Sequence, residues 1–447
     1  MKCFRTLNLR VLAFALLAFA SSCRKEEPVV NSPNLDLSDH SLLRNWYTLC
    51  LELGPKCNGF AEPVMARSMS YFSMLMHESL YRGIPGMSSY RNSADGFRFS
   101  FPSPDQSLEY NWAIVANEAA QVYVENVFGS ANEANARARK VHDDMQHHFA
   151  SQLDSVMLSN SAAYGKLLAF AVLRFAETDG MNEAYLDLYP QSYSIPKSEG
   201  LWIPTTPDYT PRVLLPYWGA CRPVLNVDTN VTLFNKELVY SNLSTSNMYA
   251  EAVEVYNRTK AISETEKEDA AYFNRDMGAN AQPLYHNFLL ALQLMAEKQQ
   301  SLPQALEMLA KLSYAIHDAY ISSYQYNYTR KLLRVSTYAR QFIDRTFQPI
   351  YKSQPIPEGV SDQAVCYAAA AEILSNFFGY RQAFTDKTQL ERPDLRNSSR
   401  SFDSFQALAI EASQGDIYTG VHFRTSVENG RKLGTDVARN IMSFIIK

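Results

Sequence analysis

Apolar residues recur along much of the chain at steps of three and four positions, which is the spacing of one face of an α-helix. Ser301 and Gln304 stand at capping-box spacing with Pro303 between them, and the stripe that follows is regular: Leu306, Leu309, Leu312, Ile316 and Ala319. Residues 365–378 are apolar on almost every side and end at Gly379, which is typical of a central, buried helix.

Further helices are predicted at residues 132–158, 161–177, 402–412 and 433–444. Strand signals are weak and confined to residues 185–245, where Pro, Tyr and Trp follow no regular rhythm. We expect this segment to be a long ordered loop between two helical halves, with Trp202 and Trp218 packing it rather than binding sugar. The pattern predicts an all-α fold.

The N-terminus has the features of a targeting segment rather than of the fold. Residues 1–22 combine Lys2, Arg5 and Arg10 with a ten-residue apolar stretch, which is too short to span a bilayer. Small residues directly precede Cys23, as in the lipobox where lipoprotein signal peptidase cleaves and the cysteine is acylated. An ordinary signal peptide that ends near a cysteine is the alternative. Acylation at Cys23 would make the membrane a partner.

Residues 23–40 are expected to form a flexible linker. The Arg-Lys-Glu-Glu run after Cys23 resembles the surface-export signal of Bacteroidetes lipoproteins. The expected location is therefore the cell envelope, at the outer membrane and its surface.

Export would place the remaining cysteines in an oxidising compartment. Cys50 and Cys57 flank a Gly-Pro turn and suit a small disulfide-closed loop, whereas Cys366 lies in an apolar run and is expected to be a buried thiol. No Cys-x-x-Cys pair is present, and the polar cluster around His142 and His147 is expected to be a solvated helix face. We therefore predict no metal site.

Composition and charge exclude several classes of protein. The 447 residues are 46 % hydrophobic, enough for a core larger than that of one average domain. Lys plus Arg number 42 and Asp plus Glu number 46, a net charge of −4, so the chain offers no basic surface for nucleic acid.

The order of several short segments resembles bacterial vanadium-dependent haloperoxidases, whose fold and active site are shared with type 2 phosphatidic acid phosphatases. The matching landmarks span residues 44–446 and are Ala66-Arg67-Ser68, His77-Glu78-Ser79, Trp202 to Pro207, Tyr217-Trp218-Gly219, Ala252 to Asp276, His317-Asp318 and Val421-His422-Phe423. The resemblance implies two helical-bundle halves in one domain over residues 41–447, with a phosphatase-like core at about 285–447.

The resemblance also implies an oxyanion cradle built from one Lys, two Arg, a Ser-Gly-His segment and a second His. Carried over residue by residue, the first Arg is Arg334, the Ser is Ser361 and the final His is His422. The other positions have changed: the Lys is Asn327, the Gly and His are Asp362 and Gln363, and the Ser-Arg pair is Gly415 and Asp416.

These changes reverse the charge of the cradle. Three permanent positive charges are replaced by one, and two acids are added. A carboxylate about 4 Å from a bound oxyanion costs on the order of 4 kcal/mol at an effective dielectric constant near 20. Cations close in sequence are the candidates for compensation, namely Arg330, Lys331, Arg340, Lys352 and Arg424.

Each retained residue also has a structural interpretation. Ser361 and Asp362 precede an apolar helix and fit an N-cap. His422 fits a packed, hydrogen-bonded histidine, and Arg334 fits either an anion anchor or an ion pair with Asp416.

Two functions follow from these observations. The first is a lipid-anchored, non-catalytic protein that keeps the scaffold and binds a protein or glycan partner, with no cofactor. The second is a haloperoxidase or phosphatase that uses His422, Arg334 and compensating cations, with vanadate as the cofactor of the haloperoxidase. A glycan-binding outer-membrane module is a third, weaker interpretation.

Overall fold

The computed structural model describes residues 35–90, 101–150, 153–195, 197–224, 234 and 236–443. These residues form thirteen α-helices and one small sheet. In chain order the elements are α1 Ser41–Leu53, α2 Glu62–Leu80, α3 Trp112–Val127, α4 Ala134–Phe149, α5 Ser155–Glu177, α6 Asn247–Lys260, α7 Glu264–Tyr272, α8 Pro283–Glu297, α9 Leu302–Arg330, α10 Val335–Phe342, α11 Asp362–Phe378, β1 Phe384–Asp386, β2 Arg400–Phe402, α12 Phe405–Tyr418 and α13 Arg424–Ser443. The predicted all-α fold class is confirmed.

Two helical halves pack side by side and share one long helix. In the N-terminal half α3 packs against α2, α4 and α5, and in the C-terminal half α11 packs against α12 and α13. The 29 residues of α9 span about 43 Å and contact α2 on one side and α11 and α13 on the other. One buried apolar cluster extends from Leu42 to Ile441, so the two halves have a common core.

The sequence predicted α9 and α11 well. The Ser301–Gln304 capping box is present at the start of α9, and α11 is buried along its first fourteen residues. Other boundaries were wrong. The predicted helix at 132–158 is interrupted before Asp154, whose side chain caps α5, and Phe402 belongs to a strand rather than to a helix. Residue 444 lies outside the described residues.

The only strands among the described residues are β1 and β2, which pair antiparallel with Phe384 opposite Phe402. Both strands lie outside residues 185–245, the segment to which the sequence analysis confined the strand signals. They were missed because a strand of three residues is too short to give a recognisable pattern. The described part of 185–245 is irregular, as predicted. It buries Trp202 and Trp218 and pairs Leu201 with Leu332.

The four body cysteines are free, buried thiols. The predicted Cys50–Cys57 loop is therefore wrong, and the Cys57 Sγ instead lies 3.6 Å from the Phe128 carbonyl oxygen. Two of the three histidines of α4 are engaged in side-chain pairs: His142 contacts Glu118 at 3.1 Å, and His148 contacts Asp39 at 2.7 Å. Among the described residues, no group of three or more acidic, His or Cys side chains is arranged to hold a metal ion.

Candidate functional site

His422 lies in the turn between α12 and α13 and is almost fully buried. The backbone N–H groups of Val421 and His422 donate to the Asp416 carbonyl, which fixes the turn. The imidazole Nδ1 lies 2.7 Å from the Glu358 Oε1, and Nε2 lies 3.2 Å from the Arg334 Nη2. Because a guanidinium can only donate, Nε2 accepts from Arg334, and Nδ1 donates to the carboxylate. Both ring nitrogens of His422 are therefore engaged.

Arg334 is the N-cap residue of α10 and is 1 % exposed. A second apolar cluster, which includes Val335, Tyr338 and Phe423, surrounds this end of the helix. The Arg334 Nε lies 3.5 Å from the Glu358 Oε2. Of the two interpretations of Arg334, the ion pair with Asp416 is therefore wrong, because the partner is Glu358. The Arg334 Nη1 has no hydrogen-bond partner among the described residues.

Glu358 is fully buried beside these two groups. Burial acts to raise its pKa, but His422 and the Arg334 guanidinium outweigh that effect, so the pKa of Glu358 lies below its ordinary value. The Glu358 backbone N–H donates to the Leu332 carbonyl, which ties its loop to the strand-like residues just before Arg334. Glu358 is thus an ionised partner of both Arg334 and His422.

Asp362 opens α11 and is paired with a cation that the sequence did not suggest. The Asp362 Oδ2 lies 2.9 Å from the Arg275 Nη1, and the same nitrogen lies 3.8 Å from the Glu62 Oε1. Burial would raise the pKa of Asp362, and the charge of Arg275 lowers it below the ordinary value. The negative charge of Asp362 is therefore offset by Arg275.

Asp416 faces Ser361, whose hydroxyl donates to the Asp416 Oδ2 at 2.6 Å. Ser361 also accepts from the Ala364 backbone N–H, so the predicted N-cap at Ser361 is confirmed. Burial raises the pKa of Asp416 despite the nearby positive charges. Asp416 is therefore a buried acid with no basic hydrogen-bond partner among the described side chains.

The side-chain amides of Asn327 and Gln363 both bind the backbone. Asn327 donates to the Val360 carbonyl at 3.0 Å and accepts from the Val360 N–H at 2.7 Å. Gly359 leaves room for this contact, since a Cβ there would lie 2.2 Å from the Asn327 Oδ1. Gln363 donates to the Ala412 carbonyl at 2.8 Å. Both amides are thus committed to structural hydrogen bonds.

Most cations proposed as substitutes point elsewhere. Arg330 binds the Leu238 carbonyl, Arg340 binds the Phe347 carbonyl, and Arg424 pairs with Glu254. Lys331 ends α9 in a left-handed conformation, and only Lys352 lines the cleft, where it pairs with Asp208 at 3.1 Å. The cation that enters the site is Arg275, which lies just before the Asp276 landmark.

The cleft beside His422 is narrow and mixed in character. Its cavity volume is about 40 Å³, enough for only one or two water molecules. Its lining combines the polar groups described above with the rings of Phe273 and Tyr351, and Gly415 forms part of the wall. Sequence reasoning placed His422, Arg334, Asp362, Gln363, Gly415 and Asp416 together correctly, and it missed Glu358, Arg275 and Glu62.

Comparisons with known proteins agree with this architecture. Residues 307–447 match the family model of the second helical-bundle domain of vanadium chloroperoxidase. The chain is similar to a bacterial vanadium-dependent iodoperoxidase structure, with 24 % identity, 94 % of this chain and 98 % of that chain covered, and a TM-score of 0.78.

Two structures of bacterial vanadium-dependent chloroperoxidases also match. The holo-type structure is 12 % identical, with 94 % of each chain covered and a TM-score of 0.58. The apo-type structure is 13 % identical, with 92 % of this chain and 95 % of that chain covered and a TM-score of 0.59. No curated protein sequence matches the chain. The resemblance predicted from the sequence is confirmed, and the chain has the haloperoxidase fold.

Proposed function

We propose that this chain is a lipid-anchored, haloperoxidase-like binding protein whose cleft holds neither vanadate nor phosphate. The observation that carries the proposal is the state of His422. Its two ring nitrogens are hydrogen-bonded to Glu358 and Arg334. An imidazole with no free lone pair can neither coordinate a metal oxyanion nor attack a phosphate.

The charge balance of the cleft supports the same conclusion. Arg334 is offset by Glu358, and Arg275 is offset by Asp362. Asp416 then adds a further acid. Binding of an oxyanion requires a net positive charge and several free hydrogen-bond donors. The residues present do not fit vanadate, because the site holds three acidic side chains, Glu358, Asp362 and Asp416, and only two guanidiniums.

A neutral polar ligand suits this lining better than an anion does. The Arg334 Nη1 and the Arg275 Nη2 are buried donors without partners among the described residues, and the Glu358 Oε2 is a buried acceptor without a hydrogen bond. Phe273 and Tyr351 supply ring surfaces beside them. A glycan presents hydroxyls that both donate and accept, together with apolar faces. Because the cleft has only about 40 Å³ inside, we propose that one hydroxyl of a glycan end group enters it while the sugar ring stays outside, beside Tyr351.

A glycan array tests this assignment. The mature chain with Cys23→Ser, which blocks acylation, is expected to bind a subset of glycans, and Tyr351→Ala should reduce that signal at least tenfold. Tyr380→Ala is the matched control, because Tyr380 is exposed and outside the cleft lining. Absence of any glycan signal, or equal loss in both variants, would contradict the proposal.

The enzyme alternative keeps one supporting observation. Arg275 brings a second guanidinium into the cleft beside Arg334. On this alternative the protein turns over phosphomonoesters, or peroxide plus halide when loaded with vanadate. Turnover that disappears in His422→Ala would establish it, and no turnover at any pH would remove it.

The cellular location is part of the proposal. Cys23 follows small residues and a short apolar stretch, which supports acylation and an outer-membrane, surface-facing position. Mass spectrometry of the mature protein is expected to show an N-terminal Cys23 that carries acyl chains. An unmodified N-terminus elsewhere would overturn the anchor.

A further inference from the structure

The helix α5 differs from the other helices in how much apolar surface it leaves uncovered. Among the described residues it is the one helix long and apolar enough to cross a membrane, yet only a third of its most apolar stretch is buried. Val156, Leu167 and Phe170 are 64 %, 51 % and 48 % exposed. An apolar face of this kind on a soluble domain indicates an interaction surface.

The uncovered residues form one line along the helix. Val156, Ala163, Leu167 and Phe170 follow one another at steps of seven, four and three, which places them on one face. We call these four residues the α5 stripe. Leu167 and Phe170 continue into a shallow groove that also involves Pro102.

The opposite face of α5 is buried against the rest of the N-terminal half. Gly165 approaches α3 so closely that a Cβ would lie 2.4 Å from the Val115 carbonyl oxygen. The Asn111 backbone N–H donates to the Ser161 hydroxyl, and Tyr164 donates to the Pro102 carbonyl. Because one face is held in the bundle, α5 is suited to lie along a membrane surface and not to cross it.

The charges beside the stripe suit an anionic lipid surface. Lys166 and Arg174 are exposed next to Leu167 and Phe170, and Lys166 also contacts Glu118 at 3.1 Å. Long basic side chains can place their stems on apolar surface and their charges among lipid headgroups. The exposed acids of this element, Asp154 and Glu177, stand at its two ends.

The chain leading from the predicted anchor ends close to this helix. Leu35, the first described residue, and Trp112 both lie against the open side of Gly83. The Trp112 ring centroid is 6.2 Å from that of Tyr164, which belongs to α5. Cys23 precedes Leu35 by twelve positions, a span of at most about 40 Å when extended.

We infer that the α5 stripe lies on the membrane surface to which acylated Cys23 is anchored. This inference rests on the proposed anchor, since a short tether keeps the stripe at a high effective concentration near the bilayer. A membrane contact through α5 would fix the orientation of the whole domain instead of leaving it free on its linker.

The test uses the full mature lipoprotein, reconstituted into vesicles of phosphatidylethanolamine and phosphatidylglycerol with a spin-labelled quencher lipid. A fluorophore is placed on Leu167→Cys or, as the matched control, on Leu243→Cys. Leu243 is 64 % exposed and lies beside the Ser241 segment that contacts α10. The native body cysteines are buried and do not compete for the label.

Quenching at position 167 is expected to exceed that at position 243 at least threefold. Equal quenching at both positions, or none at either, would overturn the inference. Energy transfer between labelled copies at position 167 that rises with protein density would also overturn it and would indicate a second copy as the occupant. Mass spectrometry of the same sample separates the two proposals: an acylated chain without quenching refutes only the membrane contact, and an unacylated chain refutes both.

Discussion

The Nε2 of His422 accepts a hydrogen bond from the Arg334 guanidinium at a distance of 3.2 Å. These are the two residues that the sequence resemblance aligns with an oxyanion cradle, and in this structure they bind each other. Glu358 completes the group by contacting both. The three side chains thus form one buried group in which both ring nitrogens of His422 are occupied.

Restoring the cradle should restore anion binding. The variant Asn327→Lys, Asp362→Gly, Gln363→His, Gly415→Ser, Asp416→Arg returns the positions to the family pattern, and we expect at least a hundredfold gain in vanadate affinity. Each removed carboxylate relieves repulsion on the order of 4 kcal/mol. Calorimetric titration measures the gain, and Arg424→Ala, outside the cleft lining, serves as the control.

Glu358→Gln should weaken the contacts of Glu358 with Arg334 and His422 without leaving a cavity. The amide keeps the shape of the side chain but removes the negative charge that faces Arg334 and accepts from His422. We expect a loss of about 2 kcal/mol in the free energy of unfolding, because a buried guanidinium is left without its counter-charge. Urea denaturation at pH 7 measures this loss, and an unchanged midpoint would show that the ion pair is unimportant.

Asn327→Ala should destabilise the protein because it removes two hydrogen bonds to the backbone of Val360. Asn327 makes two hydrogen bonds with Val360, and both backbone groups would be left buried and unpaired. A loss of about 2 kcal/mol is expected. Asn126→Ala is the matched control, because Asn126 is exposed and makes one hydrogen bond within its own helix. Equal effects of the two variants would contradict the structural role of Asn327.

Arg275 and Asp362 should behave as a coupled pair. Arg275→Met leaves Asp362 buried without its cation, at a cost of about 3 kcal/mol. The double variant with Asp362→Asn should recover part of that loss, since position 362 no longer carries a buried charge, whereas Glu62 still lacks the cation 3.8 Å away. A double-mutant cycle by urea denaturation measures the coupling, and strictly additive losses would show that the pair is independent.

Asp386 should make stability depend on pH in the acid range. Burial acts to raise the pKa of Asp386, but His286 at 2.6 Å and the Thr388 N–H hold it at about 2, below the ordinary 3.8. A lowered pKa stabilises the fold above pH 3.8, and the contribution is lost as the pH falls through about 2. The difference corresponds to about 2 kcal/mol.

The check is the free energy of unfolding between pH 2 and pH 7. Asp386→Asn is expected to be less stable than the unmodified chain at pH 7 and nearly equal to it at pH 2. A constant difference across this range would show that the carboxylate does not titrate with folding.

The sequence predicted the parts of this molecule that depend on long periodic patterns. The stripe of α9 and the apolar run of α11 each cover several helical turns, so their type and burial were clear. Strands β1 and β2 were missed because three residues carry too little pattern. The break between α4 and α5 was missed since Asp154 caps a helix inside a continuous Ala-rich segment.

The residues of the candidate site also fall into those that the sequence predicted and those that it did not. The order of landmarks along the chain was enough to predict that Arg334 and His422 lie together. Glu358 and Arg275 were missed because their roles depend on contacts over 64 and 87 positions of sequence. Arg275 carried a weak signal, since it precedes Asp276 in the aromatic-x-x-Asp segment. Glu358 carried none that we recognise.

The most direct test of a closed cradle is calorimetric titration of the mature chain, carrying Cys23→Ser, with orthovanadate and with phosphate. We predict no detectable heat of binding for either anion up to millimolar concentration, because His422 and Arg334 are engaged with each other and with Glu358. Micromolar binding of either anion that disappears in His422→Ala would contradict this account and would identify the cleft as a working oxyanion site.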